Sequence, residues 1–197
     1  MNRTVRLATV LLAVSSCSEP EGAVYFPDFH KGAQLEYDME YTRPFGGVAT
    51  GTMVIRTEGD TTIGDKRYVR TVTVISGIPG LGQFVTYSRR AKDGMYQIDT
   101  TAVTATEVLV IPFPIGVGAA WSATLGGTRT SSKVEALERL ALVHRTYDDC
   151  LKVSANQTGP DGASQTTLWY ARGVGLVKMV AQSRGVTMQF TLAVSSR

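Results

Sequence analysis

The sequence predicts an all-β protein in which a curved antiparallel meander forms an open barrel or half-barrel. The first and last regular segments alternate apolar and polar residues, runs of β-branched and aromatic residues lie between them, and turn-forming residues separate those runs. Short connections favour antiparallel pairing, because parallel strands need crossovers of a dozen or more residues. A sheet of roughly ten strands must then curl or split into two layers.

The first predicted strand covers residues 34–42, where Leu35, Tyr37 and Met39 occupy every second position. The last covers 186–195 and has the same alternation, which gives each strand one dry face. The other predicted strands are 50–57, 68–76, 84–90, 95–99, 104–111, 151–157, 164–171 and 176–182. The turn signals between strands are Glu58-Gly59-Asp60, Asp93-Gly94, Pro160-Asp161-Gly162 and Arg184-Gly185.

Residues 132–143 fit two structures. Ser132 and Glu135 match a helix capping box, and the apolar residues that follow have helical spacing, which indicates a helix. The run 140–143 is also typical of a strand. We expect a strand, with a helix as the alternative.

Residues 1–16 resemble the signal peptide of a bacterial lipoprotein. Arg3 and Arg6 precede a short apolar run, which cannot span a bilayer because spanning takes about 20 residues. Val14-Ser15-Ser16-Cys17 then matches a lipobox, whose cysteine receives a diacylglyceryl group and often a further acyl chain such as palmitate. We expect a signal peptide over 1–16, a lipidated Cys17 with a tether over 17–24, and one domain over 25–197. The alternative is an ordinary secretory signal with an incidental cysteine.

The expected location is the cell envelope, with a membrane anchor through the lipid. Ser18 is not the aspartate that retains enterobacterial lipoproteins at the inner membrane, so we expect the outer membrane, facing the periplasm, in a Gram-negative cell. Without Arg3 and Arg6 the chain has 18 basic and 17 acidic residues, a balance that argues against a nucleic-acid partner. With Cys17 lipidated, Cys150 has no thiol to pair with and is expected to be a small buried hydrophobe.

Two short segments repeat each other. Phe26-Pro27 and Phe113-Pro114 are each followed within a few residues by a glycine, and three residues later by a large apolar residue. We expect each aromatic–proline pair to form a rigid loop whose side chains plug the end of a sheet, with chance similarity as the alternative.

The sequence shows no catalytic constellation, and we expect neither an enzyme nor a cofactor. His30 and His144 are far apart and are expected to be exposed loop residues. Asp148-Asp149 is expected to be a solvated turn rather than a cation site, because adjacent strand residues point to opposite faces. Arg89, Arg90 and Lys92 are expected to form a solvated hairpin end, with contact to lipid headgroups as the alternative.

Three segments carry a resemblance to known proteins: 113–121, 140–153 and above all 169–178, which reads Trp-Tyr-Ala-Arg-Gly-Val-Gly-Leu-Val-Lys. On these segments the chain resembles a family of secreted bacterial domains of unknown function, described as TapB-like and often lipoproteins. In that family the segment matching 140–153 is strand, turn and strand, which favours a strand here. The resemblance implies a curved sheet similar to the half-barrels of the LolA/LolB lipoprotein carriers. It implies no catalytic residue.

Two functions remain. The first is a non-enzymatic binding module whose concave face holds an apolar ligand such as a lipid. The expected ligand-binding residues are the large apolar side chains Tyr37, Met39, Phe84, Trp121 and Trp169. The alternative is a structural or assembly factor that packs against an envelope protein without a small ligand.

Overall fold

The protein is described from a computed structural model, which covers residues 20–43, 46–78, 80–100, 105–160 and 162–196. The expected signal peptide and Cys17 lie outside these residues. A short 3-10 helix, Ala23–Tyr25, precedes the strands. The strands are β1 Gln34–Thr42, β2 Val48–Ile63, β3 Lys66–Ser76, β4 Gln83–Ala91, β5 Gly94–Asp99, β6 Thr106–Pro112, β7 Ala120–Leu125, β8 Thr128–Ala141, β9 Thr146–Gly159, β10 Gly162–Ala171, β11 Gly175–Ser183 and β12 Val186–Ser196.

All twelve strands belong to one antiparallel sheet, which confirms the predicted fold class. The spatial order is β6-β5-β4-β3-β2-β1-β12-β11-β10-β9-β8-β7, so every chain neighbour except β6 and β7 is paired, and β12 pairs with β1. The sheet curls into a nearly closed barrel whose seam lies between β6 and β7. Trp121 on β7 crosses that seam, where its Nε1–H donates to the Val110 carbonyl oxygen at 2.7 Å.

The structure resolves the ambiguous segment and corrects one turn. Residues 128–141 form β8, paired with β7 and β9, so the strand prediction is confirmed and the helix alternative is wrong. The turn predicted at Glu58-Gly59-Asp60 is also wrong. These residues lie inside β2, where Glu58 is the extra residue of a β-bulge and Gly59 pairs with Arg70, and the chain reverses at Gly64-Asp65 instead.

Because the strands alternate in direction, the connections divide between two ends of the barrel. We call the first the plugged end, which carries the connections 64–65, 92–93, 113–119, 142–145 and 172–174. The second is the turn end, which carries the connections 43–47, 77–82, 100–105, 126–127, 160–161 and 184–185.

The segment 20–33 enters at the plugged end and packs against it. Ile115 N–H donates to the Glu21 carbonyl oxygen at 3.0 Å, and Gly173 N–H donates to the Val24 carbonyl oxygen at 2.8 Å. Ala23 is fully buried. Residues 21–24, expected to be part of a tether, therefore pack against the barrel.

The two aromatic–proline pairs meet at this end. The rings of Phe26 and Phe113 lie 5.9 Å apart, in one buried cluster with Ile115, Val134 and Leu151. The two loops act together as the plug that the repeated motif predicts. A second cluster, around Tyr37, Met39 and Phe190, fills the middle of the barrel on the β1 and β12 side.

Candidate ligand-binding cavity

The barrel contains a cavity of about 420 Å³, which we call the inner cavity. Its volume lies within the range of about 300–1,000 Å³ typical of small-molecule sites. The lining residues come mainly from β6 to β11 and are Phe26, Gln97, Val110, Ile111, Trp121, Thr130, Ser132, Val153, Ala155, Gln157, Thr166, Leu168, Tyr170, Met179 and Ala181.

Strand alternation explains why these residues share one space. Thr166, Leu168 and Tyr170 occupy every second position of β10, so they point to the same face. Leu168 pairs with Val153 on β9 and Met179 on β11, and directly opposed residues share a face. The inward positions of adjacent strands thus form one continuous wall.

The wall is apolar with neutral polar groups toward the turn end. None of the described residues that line the inner cavity is charged. Thr130 and Gln157 face each other across β8 and β9, and the Gln157 Oε1 accepts a hydrogen bond from Ser164 Oγ at 3.0 Å. Such a wall suits an apolar chain with a polar group near one end.

A smaller cavity of about 220 Å³, the plug cavity, lies between the entry segment and β1 to β4. Phe26 and Tyr170, whose rings are 4.8 Å apart, line both cavities and separate them. The Tyr25 hydroxyl on its wall is buried and has no hydrogen-bond partner among the described residues.

The plug cavity also has a charged corner. Arg90 Nη1 lies 3.6 Å from Asp28 Oδ2. Burial raises the pKa of the Asp28 carboxyl and lowers the pKa of the Arg90 guanidinium. Burial therefore favours the uncharged form of both side chains.

Two of the five expected ligand-binding residues line a cavity. Trp121 lines the inner cavity. Tyr37 is fully buried and lines the plug cavity, and its hydroxyl donates to the Leu176 carbonyl oxygen at 2.8 Å. Burial raises the pKa of the Tyr37 hydroxyl, so it remains a neutral donor.

The other three lie elsewhere. Met39 is 1% exposed and packs in the core beside Phe190. Phe84 lies near the start of β4, at the turn end. It is 49% exposed and lines none of the cavities described above.

Trp169 points to the outer face, because its neighbours Leu168 and Tyr170 point inward. Its Nε1–H donates to Glu138 Oε1 at 2.6 Å, and the ammonium groups of Lys152 and Lys178 lie 5.6 and 5.3 Å from its ring centre. The structure therefore brings Trp121 and Tyr37 to the interior and leaves Trp169 outside.

The structure also adds residues that the sequence reading missed. Phe26 and Tyr170 form the wall between the cavities, although Phe26 was assigned only to a loop plug and Tyr170 only to a family motif. The alternation of Thr166, Leu168 and Tyr170 within 164–171 is the signal that could have identified Tyr170, whereas no periodicity points to Phe26. Burial raises the pKa of the Tyr170 hydroxyl.

A carboxylate-centred cluster joins the outer faces of β3, β4 and β6. Glu107 accepts from Arg89 Nε at 2.8 Å, from Lys66 Nζ at 2.6 Å and from the Tyr68 hydroxyl at 2.6 Å. These donors, Arg89 foremost, lower the pKa of Glu107 to about 2. Arg89 thus belongs to an ion-pair cluster and not to a freely solvated hairpin end.

Of the remaining titratable candidates, Cys150, His30 and His144 lie as expected, whereas the turn expected at Asp148-Asp149 is wrong. Cys150 is fully buried, and burial raises the pKa of its thiol to about 11. His30 and His144 are exposed in loops. Asp148 and Asp149 are exposed but lie within β9 rather than in a turn. No group of three or more histidine, cysteine, aspartate or glutamate residues in the described part of the chain is arranged to hold a metal ion.

Comparison with known proteins assigns the fold but no family. No protein-family model matches the chain, and no curated protein matches it significantly. The TapB-like resemblance therefore stays a prediction. No helix among residues that the structure describes is long and apolar enough to cross a membrane.

Two solved structures superimpose on most of this chain. A crystal structure from Bacteroides fragilis, described as an exported protein with a YmcC-like fold, superimposes with a TM-score of 0.54 at 14% identity. The match covers 87% of this chain and 98% of that one. A structure from Parabacteroides distasonis, described as a lipoprotein, matches with a TM-score of 0.49 at 12% identity over 87% of this chain and 98% of that one. The first of these superpositions shows that the chain has a YmcC-like fold.

Proposed function

We propose that the protein is a lipid-anchored, non-enzymatic envelope protein that holds an apolar ligand, such as the acyl chain of a lipid, inside its barrel. The observation that carries the proposal is the inner cavity of about 420 Å³, with its apolar wall and neutral polar groups. A cavity of this size is unusual for a barrel filled only by its own side chains, because protein interiors are close-packed with few voids larger than a water molecule.

The anchor is supported by the sequence. The lipobox Val14-Ser15-Ser16-Cys17 follows a short apolar run, and the structural neighbour from Bacteroides fragilis is described as exported. An outer-membrane position facing the periplasm in a Gram-negative cell follows from Ser18, as argued from the sequence. The anchor is tested by labelling cells with an alkyne fatty acid, which should label the wild type and not Cys17→Ser.

Ligand binding is tested by filling the inner cavity. Ala181 lies on the cavity wall between Thr166 and Met188, and Ala181→Phe places a ring in the space. The control is Val180→Phe, because Val180 lies between Met179 and Ala181, which both line the inner cavity, and so points outward. We expect Ala181→Phe to weaken uptake of a fluorescent fatty acid about tenfold or more, which corresponds to about 1.4 kcal/mol, because the ring and an acyl chain cannot occupy the same space. Val180→Phe should bind like the wild type.

Native mass spectrometry provides a second readout, because protein purified without its anchor should retain a lipid mass. A clean apo mass together with no fatty-acid uptake would overturn ligand binding. Stoichiometric co-purification with an envelope protein would then favour the assembly function.

A further inference from the structure

We propose that the ligand of the inner cavity is an anionic amphiphile whose head group binds between Arg43 and Arg184 at the turn end of the barrel. This inference rests on the proposed function and specifies the ligand class of the same site. It is carried by a series of adjoining cavities, each sharing wall residues with the next, from the apolar interior to two arginines.

The inner cavity continues toward the turn end. A middle cavity of about 260 Å³ shares Gln157 and Ala181 with the inner cavity. A mouth cavity of about 540 Å³ shares Ser183, Val186 and Met188 with the middle cavity. Successive spaces thus have common walls from the interior to the turn end.

The chemistry of the lining changes along this series. The inner cavity is mostly apolar, and the middle cavity adds side chains such as Ser164, Gln182 and Ser183. The mouth cavity keeps apolar walls from Ile78 and Leu81 but adds the charged residues Arg43 and Arg184. No described residue that lines the middle or mouth cavity is acidic. The order matches an acyl chain with an anionic head group.

The backbone presents both arginines at the mouth. Arg43 follows β1 in a turn where its N–H donates to the Gly47 carbonyl oxygen at 3.1 Å. Arg184 occupies the two-residue turn between β11 and β12 with a φ of 48°. Its guanidinium lies over Gly162, so that a Cβ added to Gly162 would be 2.6 Å from the Nη2 of Arg184. Both side chains are exposed.

The two guanidinium groups are not neutralised by described residues. Elsewhere Arg67 pairs with Asp60, Arg70 with Glu58, Arg89 with Glu107 and Arg139 with Asp148. Arg43 and Arg184 make no ion pair with any residue in the described part of the chain. Guanidinium groups bind carboxylates and phosphates through paired N–H donors, so this mouth favours a carboxylate or phosphate head group.

The test compares decanoate with 1-decanol, which has the same chain length but an uncharged head. Binding is measured by calorimetry at pH 8 on the full mature chain carrying Cys17→Ser, so that neither the anchor nor detergent competes. We expect decanoate to bind at least about tenfold more tightly than 1-decanol, because charged hydrogen bonds are the strong ones. The double variant Arg43→Gln/Arg184→Gln should lose that preference and bind the two compounds about equally.

Arg129→Gln is the matched control. Arg129 is exposed on β8 near the same end, but its neighbour Thr130 lines the inner cavity, so Arg129 points outward. This variant should keep the preference for decanoate. Equal binding of decanoate and decanol by the wild type would overturn the inference, and so would a preference for decanoate that survives in the double variant. Either result would leave the proposed function standing. If neither compound bound, the proposed function itself would fail.

Discussion

The two ends of the barrel are built differently. At the plugged end, the entry segment and the 113–119 connection insert Tyr25, Phe26 and Phe113, which are all at least nine-tenths buried. At the turn end, Ile78 is buried but lines the mouth cavity, and Phe84 near the start of β4 is 49% exposed. The middle and mouth cavities also lie at the turn end.

This difference shows how one continuous sheet supplies both stability and space. Apolar side chains close the barrel at the plugged end. Side chains therefore do not have to fill the barrel along its whole length. The interior toward the turn end stays partly empty, and the middle and mouth cavities adjoin it on that side.

The largest expected effect comes from removing the ring at the centre of the plug. Phe26→Ala deletes a buried side chain that contacts Phe113 and Tyr170 and separates the two cavities. We expect the free energy of unfolding to fall by about 3–5 kcal/mol, because the lost transfer energy adds to the cavity cost. Urea denaturation measures this change.

Phe84→Ala is the control at the turn end. Because Phe84 is half exposed, its removal should cost about 1 kcal/mol or less. Equal losses for the two variants would contradict the difference between the ends.

A smaller effect is expected from adding a methyl group at glycines that share a left-handed backbone. Gly22 at the plugged end has a φ of 78°, and an added Cβ would lie 2.1 Å from the Ile115 carbonyl oxygen. Gly127 at the turn end has a φ of 74° and nothing within 4 Å. Gly127→Ala should cost about 1–2 kcal/mol from the backbone alone.

Gly22→Ala should cost about 1–3 kcal/mol more than Gly127→Ala, because the backbone around Ile115 must move. Thermal unfolding of the two variants in parallel measures the difference. If both melted at the same temperature, the entry segment would not be tightly packed against the 113–119 connection.

The smallest effect is expected on the outer wall beside the plugged end. Lys66 and Arg89 lie near the turns of that end, and both bond Glu107. Glu107→Gln should lower the free energy of unfolding by about 1–2 kcal/mol at pH 7, because charged hydrogen bonds are replaced by weaker ones.

The effect should depend on pH in a defined direction. Because the folded protein lowers the pKa of Glu107 from 4.5 to about 2, the stabilisation is present above the unfolded pKa and is lost as the pH falls through this range. Wild type and Glu107→Gln should therefore converge near pH 2. Asp148→Asn is the control, since its ion pair with Arg139 is mostly exposed and should contribute little at any pH. A gap that persisted at pH 2 would argue against the charged cluster.

Local patterns predicted most of the sheet but not all of its turns. The alternation at Leu35, Tyr37 and Met39 identified β1 and its buried face, because side-chain direction in a strand depends only on position along the chain. Glu58-Gly59-Asp60 has the composition of a turn, yet long-range pairing with β3 keeps it within β2 as a bulge. Tertiary pairing overrode the local signal there.

The candidate site was predicted only in part, because its residues are distant in sequence. Trp121 and Tyr37 were identified as large apolar residues, but the same criterion selected Trp169, whose alternation with Leu168 and Tyr170 places it outside. The sequence predicted Arg184 only as a turn residue, and it gave no indication that Arg43 and Arg184 lie near each other. They line one mouth only because the β1–β2 and β11–β12 turns lie at the same end of the barrel.

The sequence by itself determined that the chain forms antiparallel strands with one dry face, that Cys150 is buried, and that two aromatic–proline loops plug a sheet. These properties depend on side-chain periodicity and local chemistry. Only the tertiary structure decided that β12 pairs with β1, that both plugs meet at one end, and that the interior stays partly empty. Those features depend on the curvature of the whole sheet, which sets the distance between walls and thus whether side chains meet across it.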